Sequence, residues 1–221
     1  MDYILGAKLI RKWIKKMSVL KKILPAILLL AFLGACSGLP GGNGEIQRYD
    51  EPRFADFAPI GLKVSRVDVV SEFTPTFTRP NVEHLFPVSI EKTARLWAKD
   101  RLSADDFASD AVAEFIIKDA SVTEETEKSE KLFYKDRIVY RANLSVILRI
   151  TDHKNQSKAQ TEIDAWRELI IPADTDIAEK EKYWTGMVNK LFDEFNAKME
   201  SNIYQYLNLY VVNNSVIQNY D

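Results

Sequence analysis

Hydrophobic and polar positions alternate most regularly in the middle of the chain. Residues 138–150 carry an apolar side chain at every even position and mostly polar side chains between them. This two-residue period is typical of a strand that buries only one of its faces. Residues 160–171 continue the alternation after a turn-like segment at 151–158, so the two segments are predicted to form a hairpin.

Shorter apolar segments precede this hairpin. Residues 59–73 alternate with one change of phase near residues 65–66, which indicates a strand with a bulge. Residues 111–122 are predicted to form another strand. The glutamate-rich residues 124–130 are predicted to form a solvated connection between strands.

Two segments have the three-to-four-residue spacing of amphipathic helices. The first covers residues 89–102 and begins with Ser89, a residue type that favours a helix N-cap. The second extends to about Leu207 from an N-cap at Thr175 or Asp176. The order strand, helix, three strands, helix predicts an α+β fold. We expect a mainly antiparallel four-stranded sheet with both helices on one face, the C-terminal helix being long.

The first part of the chain has the features of a secretory signal. Two lysines at 21–22 precede an apolar run at 23–33, and small residues follow before Cys36. A basic segment, about 7–15 apolar residues and small residues at the cleavage site are typical of such signals. The run is too short for a membrane span, which needs about 20 apolar residues. Residues 1–16 form an unusually long basic leader, so translation is expected to start at Met17, although a long leader gives the same mature protein.

The sequence Leu33-Gly34-Ala35-Cys36 resembles the lipobox of bacterial lipoproteins. In that family the cysteine thiol receives a diacylglyceryl group, the signal is cut before the cysteine, and the new amino terminus is usually acylated, so palmitate is an expected modification. The resemblance implies that Cys36 anchors the mature protein to a membrane of the cell envelope, facing the periplasm. Ser37 is not the aspartate that retains many such proteins at the inner membrane, which favours the outer membrane. The alternative is an unmodified cysteine in an uncleaved anchor.

These features divide the chain into four parts. Residues 1–35 are the predicted lipoprotein signal peptide. Residues 36–57 are the predicted lipid anchor and tether, because the stretch after the cysteine is rich in glycine. Residues 58–210 are the predicted single α+β domain, and residues 211–221 a tail.

The charge distribution argues against nucleic acid as a partner. Seven of the 30 lysines and arginines, but only one of the 32 acidic residues, precede Cys36, so the rest of the chain has a net charge of −8. Binding to phosphates requires the opposite sign of charge.

Few residues suggest chemistry. His84 and His153 are the only histidines, and both fall in predicted loops far apart in the sequence. The single cysteine excludes an internal disulfide. The chain contains no glycine-rich phosphate loop, nucleophile elbow or zinc-protease motif. We therefore predict a protein that is not an enzyme, with no catalytic residues, no metal site and no cofactor.

The order of the elements resembles that of small lipoproteins that assist lipopolysaccharide assembly or serve as auxiliary subunits of envelope ABC transporters. The segments WAKDRL (97–102) and AEFIIKDASV (113–122) also resemble lipoproteins of unknown function from Gram-negative bacteria. These resemblances imply an accessory or assembly factor that binds a membrane protein or lipid-transport machinery. The alternatives are a periplasmic carrier of an apolar ligand, held between sheet and helices, and an envelope hydrolase whose site the sequence does not reveal.

The strand alternation also predicts where a partner would bind. If the even positions of 138–150 face the helices, the opposite face carries a small apolar island among charged residues. Its members are Val139, Ile147, Trp166 and Ile170. Tryptophan is enriched at binding hot spots. The alternative is a bulge at residues 165–167, which would turn Trp166 into the core.

Overall fold

The computed structural model describes residues 48–129 and 135–212. The predicted signal peptide, Cys36 and residues 213–221 of the predicted tail lie outside these ranges. No helix within them is both long enough and apolar enough to cross a membrane.

The described residues form seven strands and two α-helices. The strands are β1 (Ile60–Leu62), β2 (Val67–Ser71), β3 (Leu102–Ala104), β4 (Ala111–Asp119), β5 (Val122–Glu127), β6 (Arg137–Asp152) and β7 (Ser157–Pro172). The helices are α1 (Ile90–Arg101) and α2 (Ile177–Tyr206), with 3₁₀ turns at Glu83–Leu85 and Asn208–Tyr210.

The main sheet has five strands and is mixed, so the prediction of a mainly antiparallel four-stranded sheet is wrong in these two respects. Strand β6 pairs antiparallel with β7 along its whole length. Its other edge pairs antiparallel first with β5 and then with β4. Strand β2 pairs parallel with β4, because the connection through α1 returns the chain in the same direction.

Two local predictions are wrong, because pairing with distant strands determines the structure of both segments. The predicted bulged strand at 59–73 is two strands in different sheets, since β1 pairs parallel with β3 and β2 joins the main sheet. Three glutamates of the predicted connection, Glu124, Glu125 and Glu127, belong to β5 instead, where Glu124 and Glu125 lie opposite Tyr140 and Val139. Pairing with β6 thus overrides the weak strand propensity of glutamate.

The predicted faces of β6 are confirmed. All seven even positions from 138 to 150 are buried, and the odd positions are half-buried or exposed. Trp97 of α1 stacks on Phe115 of β4 at 5.6 Å between ring centroids, and Phe195 of α2 meets Phe115 edge-on at 6.5 Å. Both helices therefore cover the same face of the sheet.

Both helices begin at the predicted capping residues. The Ser89 hydroxyl accepts a hydrogen bond from the backbone N–H of Lys92 at 3.2 Å. The Asp176 carboxylate accepts one from the backbone N–H of Glu179 at 3.0 Å, which decides between Thr175 and Asp176. Each cap satisfies an N–H group that has no partner within the helix.

A second aromatic cluster fills the core where the loop after β2 meets α2. Phe86 stacks on Trp184 with ring centroids 4.9 Å apart, and Tyr140 meets Trp184 edge-on at 5.5 Å. Burial, with a smaller contribution from the neighbouring Glu124, raises the pKa of Tyr140, so its phenol is neutral in the folded protein.

The two helices are joined by a buried polar contact. The side-chain oxygen of Asn196 on α2 accepts hydrogen bonds from Trp97 Nε1 at 2.9 Å and from Arg101 Nε at 3.2 Å. Arg101 is fully buried, and it also donates to Glu200 at 2.6 Å and to the carbonyl of Ala58. Buried donors are costly without acceptors, so Asn196 fixes how α1 packs on α2.

The chain before residue 58 is part of the domain rather than wholly a tether. Phe54 is buried against Phe192 of α2, at 6.1 Å between centroids. Arg53 forms an ion pair with Asp100 at 2.6 Å. At the other end, Val211 is buried and bridges to Leu62, so the fold also extends past residue 210. Phe54 and Val211 therefore pack with the residues between 58 and 210.

We expect Asn196→Ala to lower the free energy of unfolding by about 3 kcal/mol, because two buried donors lose their common acceptor. Urea unfolding followed by circular dichroism measures this loss. Asn189→Ala on the exposed side of α2 is the matched control and should be nearly neutral. Equal losses in the two variants would contradict the role assigned to Asn196.

Candidate protein-docking surface

The uncovered face of the sheet contains the predicted partner site. Trp166 lies directly opposite Asn143, and Arg167 opposite Ala142, so the pairing of β7 with β6 passes through this region in continuous register. The alternative of a bulge at 165–167 is therefore wrong. Trp166 has 63% of its surface exposed, which is unusual for so large a hydrophobic side chain.

The structure brings only part of the predicted island together. Val139 lies opposite Ile170, which is 46% exposed. Trp166 is four residue pairs further along the hairpin, and Ile147 is another four pairs beyond it, opposite Glu162. The four residues share one face, but they do not form one continuous apolar patch.

Polar pairs separate the members of the island. Arg141 and Glu168 lie between the Val139–Ile170 pair and Trp166, and they form an ion pair at 2.8 Å. Ser145 and Asp164 occupy the pair on the other side of Trp166. Trp166 is thus an isolated aromatic side chain in a polar setting.

Ile147 belongs to a different apolar row that the sequence did not reveal. It lies opposite Ile116 of β4, which in turn lies opposite Val70 of β2. Ile116 is 3% exposed although it faces away from the helices, whereas Val70 is 41% exposed. Only the register of three strands identifies this row, because its members are far apart in the sequence.

The outward side chains of β7 around Trp166 form what we call the β7 face: Glu162, Asp164, Trp166, Glu168 and Ile170. All five are exposed. Glu168 is paired with Arg141, but Glu162 and Asp164 have no ion pair within residues 48–129 and 135–212. The β7 face therefore presents uncompensated negative charge beside an exposed indole.

A shallow groove of about 540 Å³ extends from the β7 face around the strand edge to α2. Arg167 and Glu194 form an ion pair in this groove, and Lys198 lines it as well. Sequence analysis missed Glu194 and Lys198, because nothing in the helical pattern indicates which strand edge they approach. Among the described residues, β7 pairs only with β6, so its 16-residue outer edge is free beside this groove.

The two histidines stay apart. His84 lies against Phe77, at 5.5 Å between ring centroids, and His153 lies in the turn between β6 and β7. In the part of the chain that the structure describes, no three His, Cys, Asp or Glu side chains are grouped as metal ligands.

No family model matches this chain, and no curated protein matches it. Solved structures that resemble it include a minor lipoprotein from Acinetobacter baumannii, with 10% identity over 62% of this chain and 94% of that chain and a TM-score of 0.37. A neuraminyllactose-binding hemagglutinin homolog from Helicobacter pylori has 11% identity over 66% of this chain and 87% of that chain, with a TM-score of 0.34. Rare lipoprotein B from Shewanella oneidensis has 13% identity over 62% and 98% of the two chains, with a TM-score of 0.26. Bacterial lipoproteins are thus among the structures similar to this chain.

We expect Trp166→Ala to leave the melting temperature nearly unchanged, because the indole buries little surface. Trp97→Ala is the control, since Trp97 is fully buried and its truncation should cost about 3–5 kcal/mol. Thermal unfolding of both variants gives the comparison. A large destabilisation by Trp166→Ala would show that its contacts are structural.

Proposed function

We propose that this protein is a non-enzymatic lipoprotein of the cell envelope that binds a protein partner through the β7 face. The observation that carries the proposal is Trp166, exposed in continuous register beside a free strand edge. A tryptophan at the surface contributes strongly when a partner buries it, and it contributes little to folding.

The chemistry of the β7 face favours a positively charged partner surface. Glu162 and Asp164 repel acidic proteins, and they attract lysine and arginine side chains that also stack well on an indole. The same charge disfavours pairing of β7 with β7 of a second copy, because acidic side chains would lie close together across the new pair.

The free edge of β7 supports the same proposal. An unpaired strand offers backbone N–H and C=O groups to an added strand. Side chains of such a strand would point to the β7 face on one side and towards Arg167 and Glu194 on the other. A basic, extended segment of a partner fits this edge.

The sequence motif at residues 33–36 supports the location. A lipid on Cys36 would hold the domain at the periplasmic side of an envelope membrane, and Ser37 at the next position favours the outer membrane. The partner would then be a membrane protein or a component of lipid-transport machinery, and the role accessory or assembly-related.

The two alternatives have less support. A carrier of an apolar ligand needs space between sheet and helices, but the rings of Trp97, Phe115 and Phe195 pack there at 5.2–6.5 Å between centroids. For a hydrolase, no observation on the described residues favours a nucleophile with an adjacent base.

Site-specific crosslinking tests the docking surface. A photoreactive phenylalanine analogue in place of Trp166 should crosslink an envelope protein in cells. The same analogue in place of Phe107, an even more exposed aromatic residue in the loop before β4, should not. Equal crosslinking from both positions would overturn the proposed surface.

The crosslinked protein, once identified and purified, allows a quantitative test. Trp166→Ala should raise its Kd about 30-fold, as expected for a hot-spot residue. Exchanging Glu162 and Asp164 for lysine should weaken binding further, and binding should fall with rising salt concentration. Asp56→Lys is a control at an exposed acid elsewhere. Wild-type affinity in the Trp166→Ala variant would contradict the proposal.

The anchor is tested separately. Cys36→Ser should leave an uncleaved precursor, because the thiol that receives the lipid is missing. Gel mobility and metabolic labelling with a fatty acid follow this change. If the variant is processed and membrane-bound like the wild type, the protein is not a lipoprotein of the expected kind.

A further inference from the structure

A second concave site lies on the opposite side of β6 from β7, where the loop after β2 crosses to α1. This loop pocket has a volume of about 190 Å³. Its lining includes Phe73, Phe77, Glu83, His84, Phe86 and Glu91. Three phenylalanine rings and two carboxylates around so small a volume are not explained by the docking function.

Two phenylalanines of the loop pocket differ in how much of their surface is exposed. Phe86 is buried and held by its stack on Trp184. Phe77 is 65% exposed at the rim, and its backbone has a positive φ of 55°, which is rare for a bulky residue. Strain of this kind is found preferentially where a side chain is held for a function.

The two carboxylates of the loop pocket differ in their partners. Glu91 forms an ion pair with Arg95 at 2.9 Å. Glu83 has no ion pair among the described residues, and its Oε1 is buried without a hydrogen-bond partner there. Its other oxygen makes only a long contact of 3.5 Å with the backbone N–H of Val122. A buried carboxylate without a counter-ion is costly, and a cation in the pocket beside Glu83 would offset that cost by charge attraction.

We propose that the loop pocket binds an organic ammonium group, with Glu83 as its counter-ion and Phe73, Phe77 and Phe86 as its aromatic walls. The face of an aromatic ring attracts a cation, and sets of such rings recognise alkylated ammonium groups. The pocket volume of about 190 Å³ is smaller than the roughly 300–1,000 Å³ of pockets that hold drug-sized ligands. It therefore suits a group as small as an alkylated ammonium ion.

Other ligand classes fit less well. An anion would meet the uncompensated charge of Glu83. A neutral apolar ligand would leave the charge of Glu83 without a counter-ion. A metal ion needs several oxygen or nitrogen ligands, and in the part of the chain that the structure describes no three His, Cys, Asp or Glu side chains, those of this pocket included, are grouped to bind one. The proposal concerns a site separate from the β7 face and does not rest on the docking function.

The ammonium group has two possible sources, a free small molecule or the head group of a phospholipid. Both present the same charge and methyl or methylene surface to the pocket. Leu85, in the same turn as Glu83, is 46% exposed and would lie near the glycerol end of a lipid.

Isothermal titration of the soluble domain with choline provides the first test. We expect saturable binding of choline and no binding of 3,3-dimethylbutan-1-ol, which has the same shape without the charge. Equal binding of the two compounds, or no binding of choline, would overturn the proposal.

Two pairs of variants assign the binding to the loop pocket. Glu83→Gln should raise the Kd for choline at least about tenfold, because the buried counter-ion is lost. Phe77→Leu, which keeps an apolar side chain but removes the ring, should raise it about two- to fivefold. The matched controls Glu162→Gln and Phe107→Leu should bind as the wild type. Unfolding curves check that each variant is folded, and unchanged affinity in folded Glu83→Gln would overturn the site.

Vesicle flotation then identifies the source of the ammonium group. If a head group is the ligand, the lipid-free soluble domain should float with phosphatidylcholine or phosphatidylethanolamine vesicles but not with phosphatidylglycerol vesicles, and Glu83→Gln should abolish flotation. If choline binds in solution and no vesicle binds, the ligand is a free ammonium compound. Flotation that is the same for all three lipids and unaffected by Glu83→Gln would exclude the head group as the ligand.

Discussion

The structure depends on the pairing of β6 on both of its edges. Sixteen residues of β6 are held by β7 on one side and by β5 and β4 on the other, so its register cannot shift without moving every side chain to the opposite face. The inward positions then form a continuous apolar surface that must be covered, and α1 and α2 cover it. The outward positions are left for solvent or for partners. The exposure of Trp166 is a direct consequence of this register.

Because both helices cover the same face of the sheet, they also pack on one another. Their contact contains buried polar side chains. Arg101 and Trp97 bring two donors into the interior, and the single oxygen of Asn196 accepts from both. An apolar side chain at 196 would fill the space but leave a buried guanidinium with fewer acceptors. The core is therefore specified by a few directional contacts as well as by aromatic packing.

The sequence pattern predicted the features that depend on interactions between residues close together in the chain. The alternation of β6 and β7 and the capping residues Ser89 and Asp176 are visible in the sequence, because each depends on neighbours a few residues away. The parallel pairing of β2 with β4 and the split of the strand predicted at 59–73 are not visible, because they depend on how α1 returns the chain to the sheet. The loop pocket was missed for the same reason: Phe73 and Glu91 become neighbours only when the loop folds over the start of α1. The placement of Trp166 was predictable, whereas its separation from Ile147 followed only from the register.

The three edge strands of the sheet, β5, β2 and β7, differ in how they are protected. Where β5 ends the sheet, the preceding loop covers it: Val82 donates to the carbonyl of Val122, and Glu124 donates to that of Pro80, each at 2.8 Å. Where β2 ends the sheet, the strand is only five residues long. Natural proteins shorten or cover edges in these ways, because a long free edge invites unwanted strand pairing. Strand β7 is 16 residues long and no described segment covers it, so the acids at 162 and 164 are its remaining protection. Those acids repel a second copy of the same strand but attract a basic one. The chain covers one edge, shortens another and leaves the third unpaired, which is the arrangement expected if the third edge receives a basic partner strand as proposed.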